Sequence, residues 1–256
     1  MKKIRHLIQK MTGKRSSASR QLLSDLRSKG AVIGEDVVIY DPQNTLIDQT
    51  APWLVTIGDH VRITSGVKIL THDYAWSVLK RRDGSILGAQ GPVVIGSNVF
   101  IGVNAVITRG VSVGDNVVIG AGSVVTKDCP SGGVYAGNPA RQIMSIDAFC
   151  EKRRACQFEE AKTLARQYQA RFGVMPPKEI FAEYFLLFAD VEEAKKNPAF
   201  CKKMELLENY DQTERYMVQN QRMFAGYEAF LQACFHASEN IITHRCEVVN
   251  RFLYFF

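Results

Sequence analysis

The chain has 256 residues, 46% of them hydrophobic, and a formal net charge of +6. That length allows one or two cores, a main domain and something smaller, while the absence of an apolar run near the roughly 20 residues of a membrane span, and of a signal-peptide segment, predicts a cytoplasmic protein. The charge is local: residues 1–29 hold nine Lys or Arg against Asp25 alone, so the remainder is slightly acidic and a nucleic-acid domain with a basic face throughout is excluded.

The basic arm opens with Ile4, Leu7, Ile8 and Met11 at helical spacing, opposed by Lys2, Lys3, Arg5 and Lys10. Such a helix can cap the following domain or pack on a neighbouring subunit, and it also suits peripheral contact with an anionic membrane. A second helix, near Ala18 to Ser28, ends at Gly30 as a C-terminal glycine should end it.

From Ile33 the chain divides into sixes: IGEDVV, IYDPQN, TLIDQT, APWLVT, IGDHVR, ITSGVK. The repeat is cleanest from Ile95 to Asp128, where Ile95, Ile101, Ile107, Val113, Ile119 and Val125 form one column, each followed by Gly or Thr, with a small or β-branched residue at the fifth place. A period of six matches neither a helix, whose faces recur about every 3.6 residues, nor an alternating strand. It fits a coil of three short strands, one hexad per side of a triangular prism, with one aliphatic side chain per side turned inward. An antiparallel meander would instead show hairpin turn pairs and irregular strand lengths. The glycines at 96, 102, 114 and 120 stand where the chain must bend and a Cβ would obstruct the turn or a ligand along the edge. Between Ile69 and Ile95 the register breaks, so residues 71–92, THDYAWSVLKRRDGSILGAQGP, are expected to leave the prism as a loop on which a site is built.

After Ile143 the period becomes helical. Asp147 is expected to cap a helix ending at Gly173, with Phe149, Cys156, Leu164, Ala165, Tyr168 and Phe172 on its apolar side. Pro177 suits the first turn of a helix through IFAEYFLLFA, and further helices are expected near Ala199 to Glu208 and Tyr227 to His236. The aromatics there (Phe181, Tyr184, Phe185, Phe188, Phe224, Phe230, Phe235) read as a helical core rather than a ligand box. Six cysteines, at 129, 150, 156, 201, 234 and 246, show no CxxC spacing and read as reduced thiols.

The hexads, VVTKDCP, and AGNPARQI (Ala136 to Ile143) together resemble the hexapeptide-repeat acyltransferases, in particular the sugar and xenobiotic O-acetyltransferases. The resemblance covers roughly Gly30 to Ile143. It implies a β-solenoid, a left-handed parallel β-helix, with short N-terminal helices and a C-terminal α-helical extension. The domains are then 1–29, a basic helical arm; 30–143, the acetyltransferase prism with its active-site loop 71–92; and 144–256, the helical extension. It further implies acetyl-CoA as co-substrate, no metal, and a homotrimer with a sugar or glycan acceptor.

His72 stands where the chain departs into the loop, the place of the general base in the enzymes it resembles; imidazole suits that task because its unperturbed pKa is about 6.5. His60 reads instead as an exposed side of the prism. Asp73 is adjacent to His72 and on extended backbone points to the other side, so a backbone carbonyl is expected to hold the His72 ring while Asp73 fixes the loop or meets the acceptor. The resemblance also marks Asn44, twelve residues before Thr56 of TIGD, as an amide for a sugar hydroxyl. His72, by contrast, comes two residues earlier relative to TIGD than in the galactoside and maltose enzymes. Tyr74 and Trp76 can stack on a pyranose or stiffen the loop. For the cofactor the resemblance carries over Gly102, Gly120, Ala121, Thr126, Lys127 and Arg141, with Lys127 and Arg141 beside the CoA phosphates.

The expected function is therefore direct acetyl transfer to a sugar hydroxyl in cell-surface polysaccharide or lipopolysaccharide synthesis. The alternatives are N-acetylation of an amino-sugar nucleotide and, more remotely, a metal-dependent hydrase or a non-catalytic scaffold on the same prism. A hydrase would need three converging histidines, and the prism region has only His60 and His72.

Overall fold

The computed structural model describes residues 17–236. They form two compact units, one running through Cys150 and the other starting at Glu151. The expected amphipathic helix at 4–11, Cys246 and the FLYFF ending lie outside the described residues.

In the first unit, helix α1 (Ser17–Ser28) ends at Gly30, whose φ of +99° is the left-handed conformation that favours glycine. It buries Leu23 and Leu26 on the first coil, and its Ser19 hydroxyl, fully buried, accepts from the Ile39 N–H at 3.1 Å. The coil then proceeds by very short strands: β1 (Val32–Ile33), β2 (Val38–Ile39) and β3 (Leu46–Ile47), followed by β4 (Val55–Ile57), β5 (Arg62–Ile63) and β6 (Lys68–Ile69). After an excursion containing β7 (His72–Asp73) and β8 (Ala89–Gln90), it resumes with β9 (Val93–Ile95), β10 (Val99–Ile101), β11 (Val106–Ile107), β12 (Ser112–Val113), β13 (Val117–Ile119) and β14 (Val124–Val125). Strands one coil apart pair in parallel, giving three sheets visited in rotation: β1-β4-β9-β12 as the first face, β2-β5-β10-β13 as the second, β3-β6-β11-β14 as the third. β15 (Gly133–Gly137) continues the second face in parallel, and β16 (Ala140–Ser145) folds back on it antiparallel around a cis Asn138–Pro139 turn.

The column of Ile33, Ile39, Ile57, Ile63, Ile69, Ile95, Ile101, Ile107, Val113, Ile119 and Val125 fills the interior, none more than 9% exposed. The fifth place of each hexad also points inward: Val37, Val61, Val67, Val99, Ala105, Val111 and Val117 are buried, and so is Ser123. Two residues per hexad therefore face the core rather than one, because a strand of two or three residues turns inward again at the corner. Each fully buried Val or Ile contributes about 1.5–3 kcal/mol, which is how strands this short hold together. The repeat glycines serve the stacking of coils. A Cβ on Gly102 would lie 2.5 Å from the Ala121 nitrogen, and one on Gly96 would lie 2.8 Å from the carbonyl carbon of Gly114.

In the first coil the hexads are not where a strict count of six puts them. The inward residue of the third face is Ile47, eight residues after Ile39 and ten before Ile57, because the chain adds a turn at Pro42–Asn44 and a 3₁₀ turn at Pro52–Leu54. The two insertions together restore a multiple of six, so the count hides them. The excursion is also more ordered than a loop: β7 and β8 form an antiparallel ribbon carrying helix α2 (Trp76–Asp83), closed by Gly84 at φ +83°.

The second unit gathers around Phe181, Phe185, Phe188, Phe200 and Phe230, all buried, with Phe185 and Phe200 stacked at 5.0 Å. The expectation of an aromatic helical core holds. Helix α3 (Ile146–Phe172) is present, but its first-turn cap is Ser145, whose hydroxyl accepts from Ala148 N at 3.1 Å, rather than Asp147. It contributes Cys156, Ala161 and Ala165 as its buried residues, whereas Leu164 and Phe172 are exposed. The expected helix through IFAEYFLLFA is instead two 3₁₀ turns, Lys178–Phe181 and Phe185–Leu187, which aim consecutive aromatics into one cluster. Next come α4 (Val191–Lys196) and α5 (Pro198–Met204), then α6 (Tyr210–Gln219) and α7 (Tyr227–Phe235). α4 and α6 were not expected from the sequence, being short and mostly polar.

Candidate active site

The third face ends at Ile47 in the first coil and at Ile69 in the second, and the segments leaving these two residues build the site. The coil-to-coil ladder continues one step, Asp48 N–H donating to the Ile69 carbonyl at 2.9 Å, so Asp48 lies beside the Thr71–His72 segment although 24 residues separate it from His72. Its side chain is only 4% exposed. One carboxylate oxygen accepts from Thr71 N at 3.1 Å, Thr71 Oγ1 at 2.7 Å and His72 Nδ1 at 2.5 Å; the other accepts from Thr50 N at 2.9 Å and Thr50 Oγ1 at 2.7 Å. Burial by itself raises the Asp48 pKa. The hydrogen bonds from Thr71, Thr50 and His72 outweigh it and hold the carboxyl well below the usual carboxylate range. An ionised carboxylate can only accept, so Nδ1 of His72 must carry the hydrogen, and the Nε2 lone pair is left for a proton. The imidazole is 35% exposed at the prism corner, so the ring is open to a molecule arriving from solvent.

Asp48 replaces the backbone carbonyl expected to hold the ring. Sequence reasoning missed it because the Pro42–Asn44 and Pro52–Leu54 insertions shift the hexad frame at the very place where Asp48 stands. The available signal was the acid immediately after an aliphatic inward residue, Ile47, one coil before Thr71–His72. Asp73 takes the loop-fixing role: its carboxylate accepts from Ala75 N at 3.0 Å and from Arg109 Nε at 2.9 Å, tying the excursion to the corner of the next coil. These two interactions also lower its pKa. Tyr74 and Trp76 brace one another, ring centroids 4.6 Å apart, with Lys80 Nζ 6.0 Å from the Trp76 centroid, and the Tyr74 ring stays exposed. His60 lies at the corner between the first and second faces, its Nδ1 3.1 Å from Asp36 Oδ2 and away from the excursion.

The remaining expected residues divide between two corners. Thr126 and Lys127 follow β14 at the corner between third and first faces, the one His72 occupies. Asn44, Gly102, Gly120 and Ala121 stand at the corner between second and third faces, and Arg141, opposite Ala136 in the terminal hairpin, belongs to that end of the second face. Asn44 is exposed and donates through Nδ2 to Asp41 Oδ2 at 2.7 Å, which fixes the amide. Gly102 is required by coil stacking, which accounts for it without a ligand. No single corner of one chain thus contains every expected residue.

The cations fit a phosphate-bearing cofactor. Lys127 is exposed with no ion-pair partner among the described residues, and the Arg141 guanidinium donates, among those residues, only to the Ala140 carbonyl, at 2.8 Å. Both charges are free to meet a ligand. Among the described residues no group of three or more His, Cys, Asp or Glu is placed to hold a metal ion.

A three-faced parallel coil of hexads is a repeat scaffold, and the likenesses of the chain give its class. Residues 92–127 match the family described as hexapeptide repeat of succinyl-transferase. The chain is 43% identical over 131 residues to Protein CapG of Staphylococcus aureus, covering 51% of this chain and 75% of CapG. It is 43% identical over 103 residues to the galactoside O-acetyltransferase of Escherichia coli K12, covering 40% of this chain but only 48% of that enzyme. Among solved structures, a galactoside acetyltransferase in complex with coenzyme A superposes with a TM-score of 0.39 at 32% identity, over 56% of this chain and 78% of that one. The chain belongs to the hexapeptide-repeat acyltransferase family.

Proposed function

We propose that this chain is an acetyl-CoA-dependent O-acetyltransferase acting on a sugar hydroxyl in cell-surface polysaccharide or lipopolysaccharide synthesis. The observation that carries the reading is the His72 ring held at 2.5 Å by a buried carboxylate, with Nε2 left free at an exposed corner. Acetyl-CoA supplies the acetyl group as a thioester open to attack. His72 Nε2 takes the proton from the acceptor hydroxyl as its oxygen attacks, and returns it to the leaving thiol; Asp48 stabilises the imidazolium between the two transfers. Lys127 and Arg141 hold the CoA phosphates, and Asn44, Tyr74 and Trp76 meet the sugar. The family's coil is left-handed, and that hand is carried to this prism.

The division of residues between two corners supports a homotrimer, in which the His72 corner of one prism faces the Arg141 corner of the next and each site takes both. The basic arm 1–29, the prism 30–143 with its excursion 71–92, and the helical extension 144–256 are then three functional segments. Among the described residues no helix is long and apolar enough to cross a membrane; the arm is proposed to bring a cytoplasmic enzyme to the inner membrane face.

The test is an acceptor panel of glycan precursors bearing hydroxyls or free amines, read by the mass of one acetyl group. A hydroxyl should be labelled, and His72→Ala should lower turnover by about 10²–10⁴ while leaving CoA binding nearly intact. Labelling of amines alone would replace the reading with N-acetylation, and activity within about tenfold of wild type would remove His72 from its role.

A further inference from the structure

The helical unit contains a groove of about 570 Å³ that the acyl-transfer chemistry does not use. Its polar lining comes from three places: Gln157 on α3, Asp190 at the start of α4, and α6 with the segment after it, where Tyr216, Gln219, Gln221 and Arg222 stand beside Asn220, whose Nδ2 is already donated to the Tyr216 carbonyl at 2.8 Å. Leu187 and Met217 supply its apolar side. The amides of Gln157, Gln219 and Gln221 and the hydroxyl of Tyr216 have no hydrogen-bond partner among the described residues. Arg222 is anchored by one nitrogen alone, Nη1, at 3.2 Å from Asp190 Oδ2 and 3.3 Å from the Phe188 carbonyl. Its Nε and Nη2 remain available to a ligand.

We infer that this groove is a second, non-catalytic binding site for an oligosaccharide. A side-chain amide offers a donor and an acceptor in one plane, the pattern that adjacent sugar hydroxyls complete, and three such amides line the groove, Gln157 half-buried and Gln219 and Gln221 exposed. A pyranose is itself two-sided, with C–H faces that lie on a tyrosine ring or an aliphatic wall and hydroxyl edges that need partners; the groove supplies both. Other ligands match less well. Asp190 beside Arg222 cancels the local positive charge that a phosphate would require, and an acyl chain would leave the amides unpaired and desolvated. The volume is within the range of sites that enclose a small ligand. The inference rests on the proposed acceptor class only in its choice of glycans to test, because binding is measured without acetyl-CoA and without turnover.

The experiment applies the full chain to an array of defined oligosaccharides from bacterial capsule and lipopolysaccharide repeats, then titrates the best binder by calorimetry. At least one should bind, and the Tyr216→Ala, Gln219→Ala double variant should weaken it about tenfold or more while its thermal midpoint matches the parent. A glycan that binds the double variant within about twofold of the parent is held elsewhere, and overturns the inference. So does an array with no binder. A parent chain that binds a glycan at this groove but transfers acetyl to no acceptor would overturn the enzymatic reading and leave this site standing.

Discussion

Replacing Asp48 by Asn removes one charge and almost no volume, so its consequences can be worked from the five hydrogen bonds the carboxylate accepts. One oxygen faces the backbone N–H of Thr50, the other that of Thr71. Whichever way the amide is turned, its NH₂ meets a backbone donor. A buried donor left unsatisfied costs about 1–3 kcal/mol, and exchanging a charged acceptor for a neutral one weakens the bonds that survive, so the prism should lose about 2–4 kcal/mol. With the NH₂ toward His72 it donates to Nδ1, the hydrogen moves to Nε2, and the base is lost. kcat should fall by about 10²–10⁴ with little change in the KM for acetyl-CoA. Two assays read this: steady-state release of CoA thiol, and urea unfolding monitored across pH. Because the folded pKa of Asp48 is depressed, its stabilisation is present above the unfolded carboxyl value of about 3.9 and is lost as pH falls through the folded value. The stability gap between wild type and variant should therefore be constant near neutrality and narrow below about pH 4. A variant retaining activity within about tenfold would refute the claim that Asp48 sets the tautomer of His72, and a gap unchanged down to about pH 2 would refute the claim that it folds as a carboxylate.

Arg141→Ala should raise the KM for acetyl-CoA more than it lowers kcat, and mixed with His72→Ala it should restore part of the activity, since a trimer of both contains some intact sites; an active monomer by light scattering, or no complementation, would count against sites shared between chains. Gly102→Ala should destabilise the prism by about 1–3 kcal/mol, because its Cβ would lie 2.5 Å from the Ala121 nitrogen, whereas Gly88→Ala, with nothing within 4 Å, should be neutral within about 0.5 kcal/mol; equal effects in urea unfolding would refute the stacking argument. Deleting residues 1–12 should spare acetylation of a soluble sugar analogue and lower activity on a lipid-linked acceptor in anionic vesicles, an effect that salt should weaken; equal loss on both would make the arm structural, and no loss would end the membrane reading.

The prism is written into the amino-acid sequence. Its inward column repeats every hexad, and in a coil each strand pairs with its own counterpart one turn later, so Ile95, Ile101 and Ile107 specify both the local strands and their partners. His72 was legible for the same reason, as the residue at which a regular frame breaks. The turn glycines and the buried aromatics of the second unit come from chemistry that acts locally. The partner of His72 depended on the folded chain instead. Asp48 reaches it because two corner insertions, after Ile39 and after Ile47, let the first coil present its acid beside the second coil's departure point, and insertions that sum to a multiple of six leave no trace in the repeat count. The same holds for IFAEYFLLFA, whose residues suit a helix but are drawn into 3₁₀ turns because packing Phe181, Phe185 and Phe188 into one cluster with Phe200 and Phe230 outweighs the small differences in local propensity.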